Sequence, residues 1–240
     1  MVYEKYIDEF ENHFPAARFE KGALYVVATP IGNLEDISFR ALHILKNADV
    51  IACEDTRVTS VLLNRYGIKS RLVSYYSNVE NSKMDFLTGE LKEGKTIALV
   101  SDAGTPGISD PGAGIIAECM KEDIKVISIP GATALIHSIV VSGFESRKFF
   151  FQGFLPQKGR ENLFIRLKTI KMPIVFYESK FRIRKTLTEM SKYFGNKEVS
   201  VSRELSKMHE TTYRGTLNEI AGNVSAIKEK GEFTLVINNI

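Results

Sequence analysis

Cysteine is scarce in this chain. Its 240 residues hold two, Cys53 and Cys119, far apart and each in apolar surroundings. That excludes a disulfide framework and a zinc site built on thiolates, and it suits buried thiols in a reducing compartment. Long apolar runs are missing too: nothing approaches the roughly 18 residues of a membrane span. The first residues, MVYEKYIDEFENHF, carry acids and lack the apolar stretch of a secretory signal. A cytoplasmic location is the expectation. The four histidines, His13, His43, His137 and His209, show no metal-ligand spacing, and no serine–histidine–acid arrangement stands out. Neither the dinucleotide fingerprint nor the phosphate loop is present. There is no internal repeat and no low-complexity tract.

What is present is an ordinary globular balance, 44% apolar and 25% charged. The length suits two α/β units of about 100–130 residues each. The net charge of +3 is unevenly placed. Residues 1–143 carry 14 Lys and Arg against 19 Asp and Glu, whereas residues 144–240 carry 18 against 10. A second half at +8 is suited to a polyanion, although a well-solvated surface accounts for it equally.

Residues 1–21 read as an amphipathic arm, with Tyr3, Tyr6, Ile7, Phe10 and Phe14 at helical spacing and a stop near Pro15. Short apolar strands then alternate with helices. Strands are expected at 24–29, 49–55, 71–76, 96–102 and 125–130, and helices at 38–46, 58–66, 81–92, 112–121 and 132–142. This rhythm predicts a mostly parallel sheet covered on both faces. Gly143 closes the last helix where the charge switches. The domains are therefore placed at 22–143 and 144–240, the second with strands at 149–154, 173–178, 198–204, 210–217 and 232–238 in a mixed sheet.

Three loops follow strands, where open α/β sheets bind ligands. In ATPIGNLEDIS, 28–38, Pro30 stiffens the chain, Gly32 turns it and Asp36 is placed to cap the next helix. SDAGTPGISDPG, 101–112, packs three glycines and two prolines into twelve residues. Asp110 before Pro111 reads as a helix start. Asp102, Ala103, Gly104, Thr105 and Pro106 exceed what a tight turn needs and point to a ligand. In IPGATAL, 129–135, Thr133 is either a cap or a ligand donor. Glu178 in FYES and Glu204 in SREL end strands of the second half. Arg57 follows the strand ending in CED and is placed either to reach phosphate or to pair locally with Asp55.

Seven ordered segments carry a resemblance: TPIGNLEDIS (29–38), ACEDTR (52–57), LVSDAGTPGISDPG (99–112), PGA (130–132), QGFLP (152–156), FYES (176–179) and SREL (202–205). With these, the chain resembles the tetrapyrrole methylase superfamily from about Gly22 to Ile240. Within it, the chain looks most like the ribosomal small-subunit RNA 2′-O-methyltransferases that act on a cytidine of the decoding region. The resemblance implies an α/β, two-domain tetrapyrrole-methylase-like fold with S-adenosylmethionine in the interdomain cleft. It also implies a homodimer and, as partner, ribosomal RNA or the small ribosomal subunit.

Carried over, the donor pocket would involve Pro30, the Asp102–Pro106 loop with Ile108, Thr133 and Tyr177. Leu205, Thr234 and Leu235 would close the adenine side, and Arg57 with the basic second domain would meet RNA phosphates. A sulfonium leaving group needs no acid, so catalysis rests on in-line placement of the hydroxyl and on loss of its proton. Glu204 or Glu178 is expected to take that proton, with Arg57 and Lys207 orienting the ribose phosphate.

The chain departs from the pattern in places. Ala132–Thr133 stands where RNA-modifying members often read Pro–Ser, and Ala113 stands where a tyrosine is common. The arm looks like an addition, and a basic tail that many relatives carry is missing. The competing readings are a C-methyltransferase acting on a tetrapyrrole, which needs an apolar trough, a methyltransferase of the diphthamide pathway acting on a protein, and an RNA-binding module without affinity for the donor.

Overall fold

The computed structural model describes residues 19–76 and 80–240, so the expected arm lies outside the described residues up to position 18. The chain divides into two compact units, 1–133 and 134–240.

The first unit is a five-stranded sheet: β1 (Leu24–Val27), β2 (Val50–Cys53), β3 (Arg71–Ser74), β4 (Ile97–Val100) and β5 (Val126–Ile129). All pairs are parallel, in the order β3-β2-β4-β1-β5. Strands buried on both faces read as unbroken apolar runs, and β1, β2 and β4 do so at every position. Helices α1 (Phe39–Asn47) and α2 (Thr56–Arg65) cover one face, where Leu42, Leu45, Leu62 and Leu63 pack on Tyr25, Ile51 and Ala98. Helices α3 (Glu80–Lys92) and α4 (Ala113–Lys121) cover the other, where Leu87, Leu91, Ile115 and Cys119 meet Leu24, Val50 and Leu99. Each such fully buried aliphatic side chain contributes about 1.5–3 kcal/mol by leaving water.

The faces alternate because of chain direction. The connection out of β1 runs across β4 to β2, and the one out of β4 runs back across β1 to β5. These neighbouring strands therefore send their carboxyl-end loops to opposite faces, which opens a crevice at the switch.

Two cap assignments differ from expectation. Ser38, not Asp36, caps α1 by accepting the Ala41 amide; Asp36 lies in a 3-10 turn, Leu34–Asp36, capped by Asn33. Helix α4 starts at Ala113 with Gly112 at its N-cap, so Asp110–Pro111 belongs to the loop. The Gly107 amide bonds to the Pro111 carbonyl and holds those residues off the helix axis.

The second unit begins with α5 (Ala134–Ser142), ahead of the charge switch near 144. Its Ile139 packs on Val175 and Val236 of the second sheet, which is why the helix belongs there. That sheet holds β6 (Phe150–Phe154), β7 (Ile174–Ser179), β8 (Glu198–Arg203), β9 (Thr211–Thr216) and β10 (Glu232–Ile237), in the order β6-β7-β10-β8-β9. Only β6 and β7 pair in parallel; the rest of the sheet is antiparallel. The face opposite α5 carries α6 (Arg160–Leu167) and α7 (Ile183–Phe194), built on Phe164, Leu187 and Met190, with α8 (Leu217–Gly222) adding Leu217. Among the described residues no helix is long and apolar enough to cross a membrane.

Candidate active site

Three loops of the first unit meet at the crevice. The Thr29 amide donates to the Gly104 carbonyl at 2.8 Å and the Gly104 amide returns the bond at 3.0 Å, so a two-residue bridge ties the exit of β1 to that of β4. The Thr29 hydroxyl adds a bond to the Ser101 carbonyl at 3.1 Å. The third loop is pressed against the first: a Cβ on Gly131 would lie 2.9 Å from Ala28 Cβ and 3.3 Å from its carbonyl oxygen. Gly104 and Gly107 both sit at positive φ, +83° and +81°, which a side chain disfavours. Pro30, Gly104 and Pro106 are buried and Thr105 and Thr133 half-buried, whereas Asp102, Ala103 and Ile108 face outward. Ile108 keeps 45% of its surface exposed, an apolar side chain offered from a loop whose backbone is pinned.

Carboxylates gather beside this loop. The Asp55 amide donates to Asp102 Oδ1 at 3.0 Å, and the Asp102 amide to Glu54 Oε2 at 3.4 Å, which links the ends of β2 and β4. Burial raises the pKa of both Glu54 and Asp102. Burial, then the charge of Glu54, pushes Asp110 up to about 6, against a hydrogen bond from Ser101. Sequence reasoning missed Glu54 and Asp110 as site residues. Adjacent strand ends bring together acids 56 positions apart in the chain, and only the strand order reveals it.

Arg57 makes the local pair: its Nη2 lies 2.6 Å from Asp55 Oδ2 with 88% of its side chain exposed. The Arg57 guanidinium, then its amide, holds the Asp55 carboxyl down to about 2. An exposed pair of this kind is worth little, so the guanidinium exchanges partners readily.

The second unit changes the picture of the expected catalytic acids. Glu178 has a fully buried side chain, 2.7 Å from Arg182 and 3.4 Å from Arg160, and it accepts from the Thr186 hydroxyl at 2.6 Å and from the Ser179 amide at 2.8 Å. Its carboxylate is enclosed and fully partnered, the environment of a structural anchor. Glu204 stands at φ +54° and accepts the Glu232 amide at 2.9 Å and the Lys207 ammonium at 3.1 Å, both on Oε1. Burial pushes its pKa up, but those two partners outweigh it and hold the carboxyl below its usual value, which weakens it as a base. Lys207 also bridges to Glu232 at 2.9 Å, so its charge is already compensated.

Leu235, expected on the adenine side, is enclosed. It lies on the central strand with neighbours laddered on both sides, and its side chain is enclosed in the core under α7. Leu205 and Thr234 are also buried, at 8% and 4% exposure. The Tyr177 hydroxyl accepts the Leu135 amide at 3.1 Å, at the first turn of α5, and its ring meets Phe151 and Phe154 edge-on.

A model of the tetrapyrrole (corrin/porphyrin) methylases matches residues 23–221. The chain belongs to this family, and its class is methyltransferase. Among curated proteins it is similar to the ribosomal RNA small subunit methyltransferase I of Halalkalibacterium halodurans, 47% identical over 222 residues that span 92% of this chain and 77% of that one. The protein of the same name from Thermotoga maritima is 45% identical over 217 residues, 90% of this chain and 98% of that one. Among solved structures, the uroporphyrin-III C-methyltransferase of Thermus thermophilus complexed with S-adenosyl homocysteine superposes with a TM-score of 0.64, covering 89% of this chain and 96% of that one. At 16% identity that likeness speaks to the fold alone.

Proposed function

We propose that the chain transfers a methyl group from S-adenosylmethionine to the 2′-hydroxyl of a cytidine ribose in the decoding region of small-subunit ribosomal RNA. The observation that carries this reading is identity of 45–47% with two curated relatives of that ribosomal name across nine-tenths of the chain. The chain works as a homodimer in the cytoplasm.

The methyl donor is S-adenosylmethionine, and its positively charged sulfonium supplies an activated methyl group. The first unit fits such a ligand. Backbone fixed at positive φ allows close approach, Ile108 offers apolar surface, and Glu54, Asp102 and Asp110 supply negative charge toward a cation. Pro30, the Asp102–Pro106 loop with Ile108, and Thr133 would hold the donor. With Glu178 and Glu204 committed elsewhere, the chain's contribution is alignment of hydroxyl and methyl group, which supplies much of the acceleration in such transfers. Arg57 is placed to exchange Asp55 for a phosphate.

RNA affinity is expected to fall steeply with salt, because phosphate contacts by the basic unit release counterions. Filter binding of small-subunit RNA from about 50 to 200 mM salt measures it, and a flat dependence would contradict the assignment of RNA to this unit.

A further inference from the structure

One end of the second sheet carries the two most exposed large apolar side chains among the described residues, Met208 and Phe181. Register places the exits of β7 and β8 beside the entrances of β10 and β9: Ser179 lies across from Glu232, Phe233 from Arg203, and Arg203 from Thr211. The exit of β6 joins them, since Phe154 lies across from Tyr177. At this end Met208 is 94% exposed, Phe181 86% and Phe154 52%. The loops at this end also carry the exposed lysines Lys180, Lys228 and Lys230, alongside the exposed acids Glu210, Glu229 and Glu232, of which Glu229 pairs with Arg184 and Glu232 with Lys207. Lys180 Nζ lies 4.9 Å from the centre of the Phe181 ring, so charge and aromatic face are presented together.

These side chains are mounted on rigid supports. Phe181 rides on the turn after β7, whose base is fixed by the buried Glu178–Arg182 pair and by an Arg182 bond to the Leu155 carbonyl at 2.9 Å. Met208 rides on the loop from 204 to 210. There the buried Arg203 guanidinium grips the Lys230 and His209 carbonyls at 2.5 and 3.0 Å, and Glu210 accepts the Ser206 amide at 2.6 Å. Glu204 and Ser206 both stand at positive φ, +54° and +62°, which costs energy that the surroundings must offset. The network thus pins the backbone of the loop that carries Met208.

Exposed aromatic rings beside a lysine, with an apolar thioether at the same end, match single-stranded nucleic acid, whose bases stack on rings while its phosphates meet the charge. They do not match A-form duplex, whose bases are already stacked and which is held through phosphates and 2′-hydroxyls. We propose that this end of the second sheet holds an unpaired stretch of the RNA substrate, with bases on Phe181, Met208 and Phe154 and phosphates on Lys180, Lys228 and Lys230. The inference rests on the RNA reading above and names the surface and the RNA form.

The test is fluorescence anisotropy of the full chain with a labelled single-stranded oligoribonucleotide and with the same sequence as duplex, across a salt series. The single strand is expected to bind more tightly. Phe181→Ala should weaken it about tenfold, and Met208→Ala by less, with the salt slope unchanged. Lys180→Gln should lower the slope by about 0.7. Donor affinity by calorimetry should stay at the wild-type value in all three. Equal affinity for duplex, or alanine variants that bind single strand like wild type, would overturn the proposal. So would alanine variants that change sedimentation of the protein alone while RNA affinity holds, which would mark an interface between copies. Wild type that binds single-stranded RNA yet methylates no ribosomal RNA would remove the activity reading and leave this surface standing.

Discussion

Glu178→Ala is expected to destabilise the second unit by about 3–5 kcal/mol, the cost of removing one partner from a buried charge network. The carboxylate has no exposed surface and answers two guanidiniums, a hydroxyl and an amide. Alanine leaves Arg182 and Thr186 facing a void. Arg160 keeps Glu189 at 3.2 Å, so the loss falls mainly on the turn after β7. Glu178→Gln fills the space but keeps only one acceptor oxygen and turns the other into a donor facing donors, so it should fall between wild type and alanine. Urea unfolding at constant m-value measures the difference. A loss under about 1 kcal/mol would show that the network is not the anchor its geometry implies.

The second large effect concerns donor binding. Gly131→Ala puts a methyl group 2.9 Å from Ala28 Cβ, and a Cβ cannot swing aside as the end of a long side chain can. Either the turn after β5 or the exit of β1 must move. Through the Thr29–Gly104 bridge the shift reaches the loop at 101–106. Overpacking of this kind costs about 1–3 kcal/mol. If the donor needs these loops in register, its affinity falls by about 5- to 150-fold at that cost. Calorimetric titration with S-adenosylmethionine reads it, with circular dichroism to show the fold intact. Gly143→Ala, at a positive φ with open space around it, should bind donor normally. Wild-type affinity in Gly131→Ala would separate the third loop from the donor site.

Much of the fold was legible because burial on both faces leaves a plain mark. LYVV, VIAC and IALV are unbroken apolar runs, and each is a strand. The candidate loops were legible for a related reason. Glycine and proline are dense in 101–112 because the backbone there visits conformations that other residues resist. Less local features were not. Helix 134–142 follows the βα rhythm of the first unit, but Ile139 finds its partners, Val175 and Val236, far along the chain. Charge composition marks a surface, and the switch it places near 144 falls one helix after the division into compact units. Glu178 and Glu204 ended strands just as Glu54 did. Whether a carboxylate is enclosed by arginines, tied into a turn or left among other acids depends on residues distant in sequence. The stacking surface at the sheet end was hidden because Phe154, Phe181 and Met208 are brought together only by strand register.

The activity proposed for the chain is transfer of a methyl group to a ribose of small-subunit ribosomal RNA. The most direct measurement incubates the chain and methyl-labelled S-adenosylmethionine with small ribosomal subunits from cells lacking the activity, then digests the RNA and identifies the labelled nucleoside by mass spectrometry. A single labelled 2′-O-methylcytidine within the decoding region is the expected product. Label on a base, label in ribosomal protein, or unlabelled RNA beside a methylated tetrapyrrole under the same conditions would contradict it.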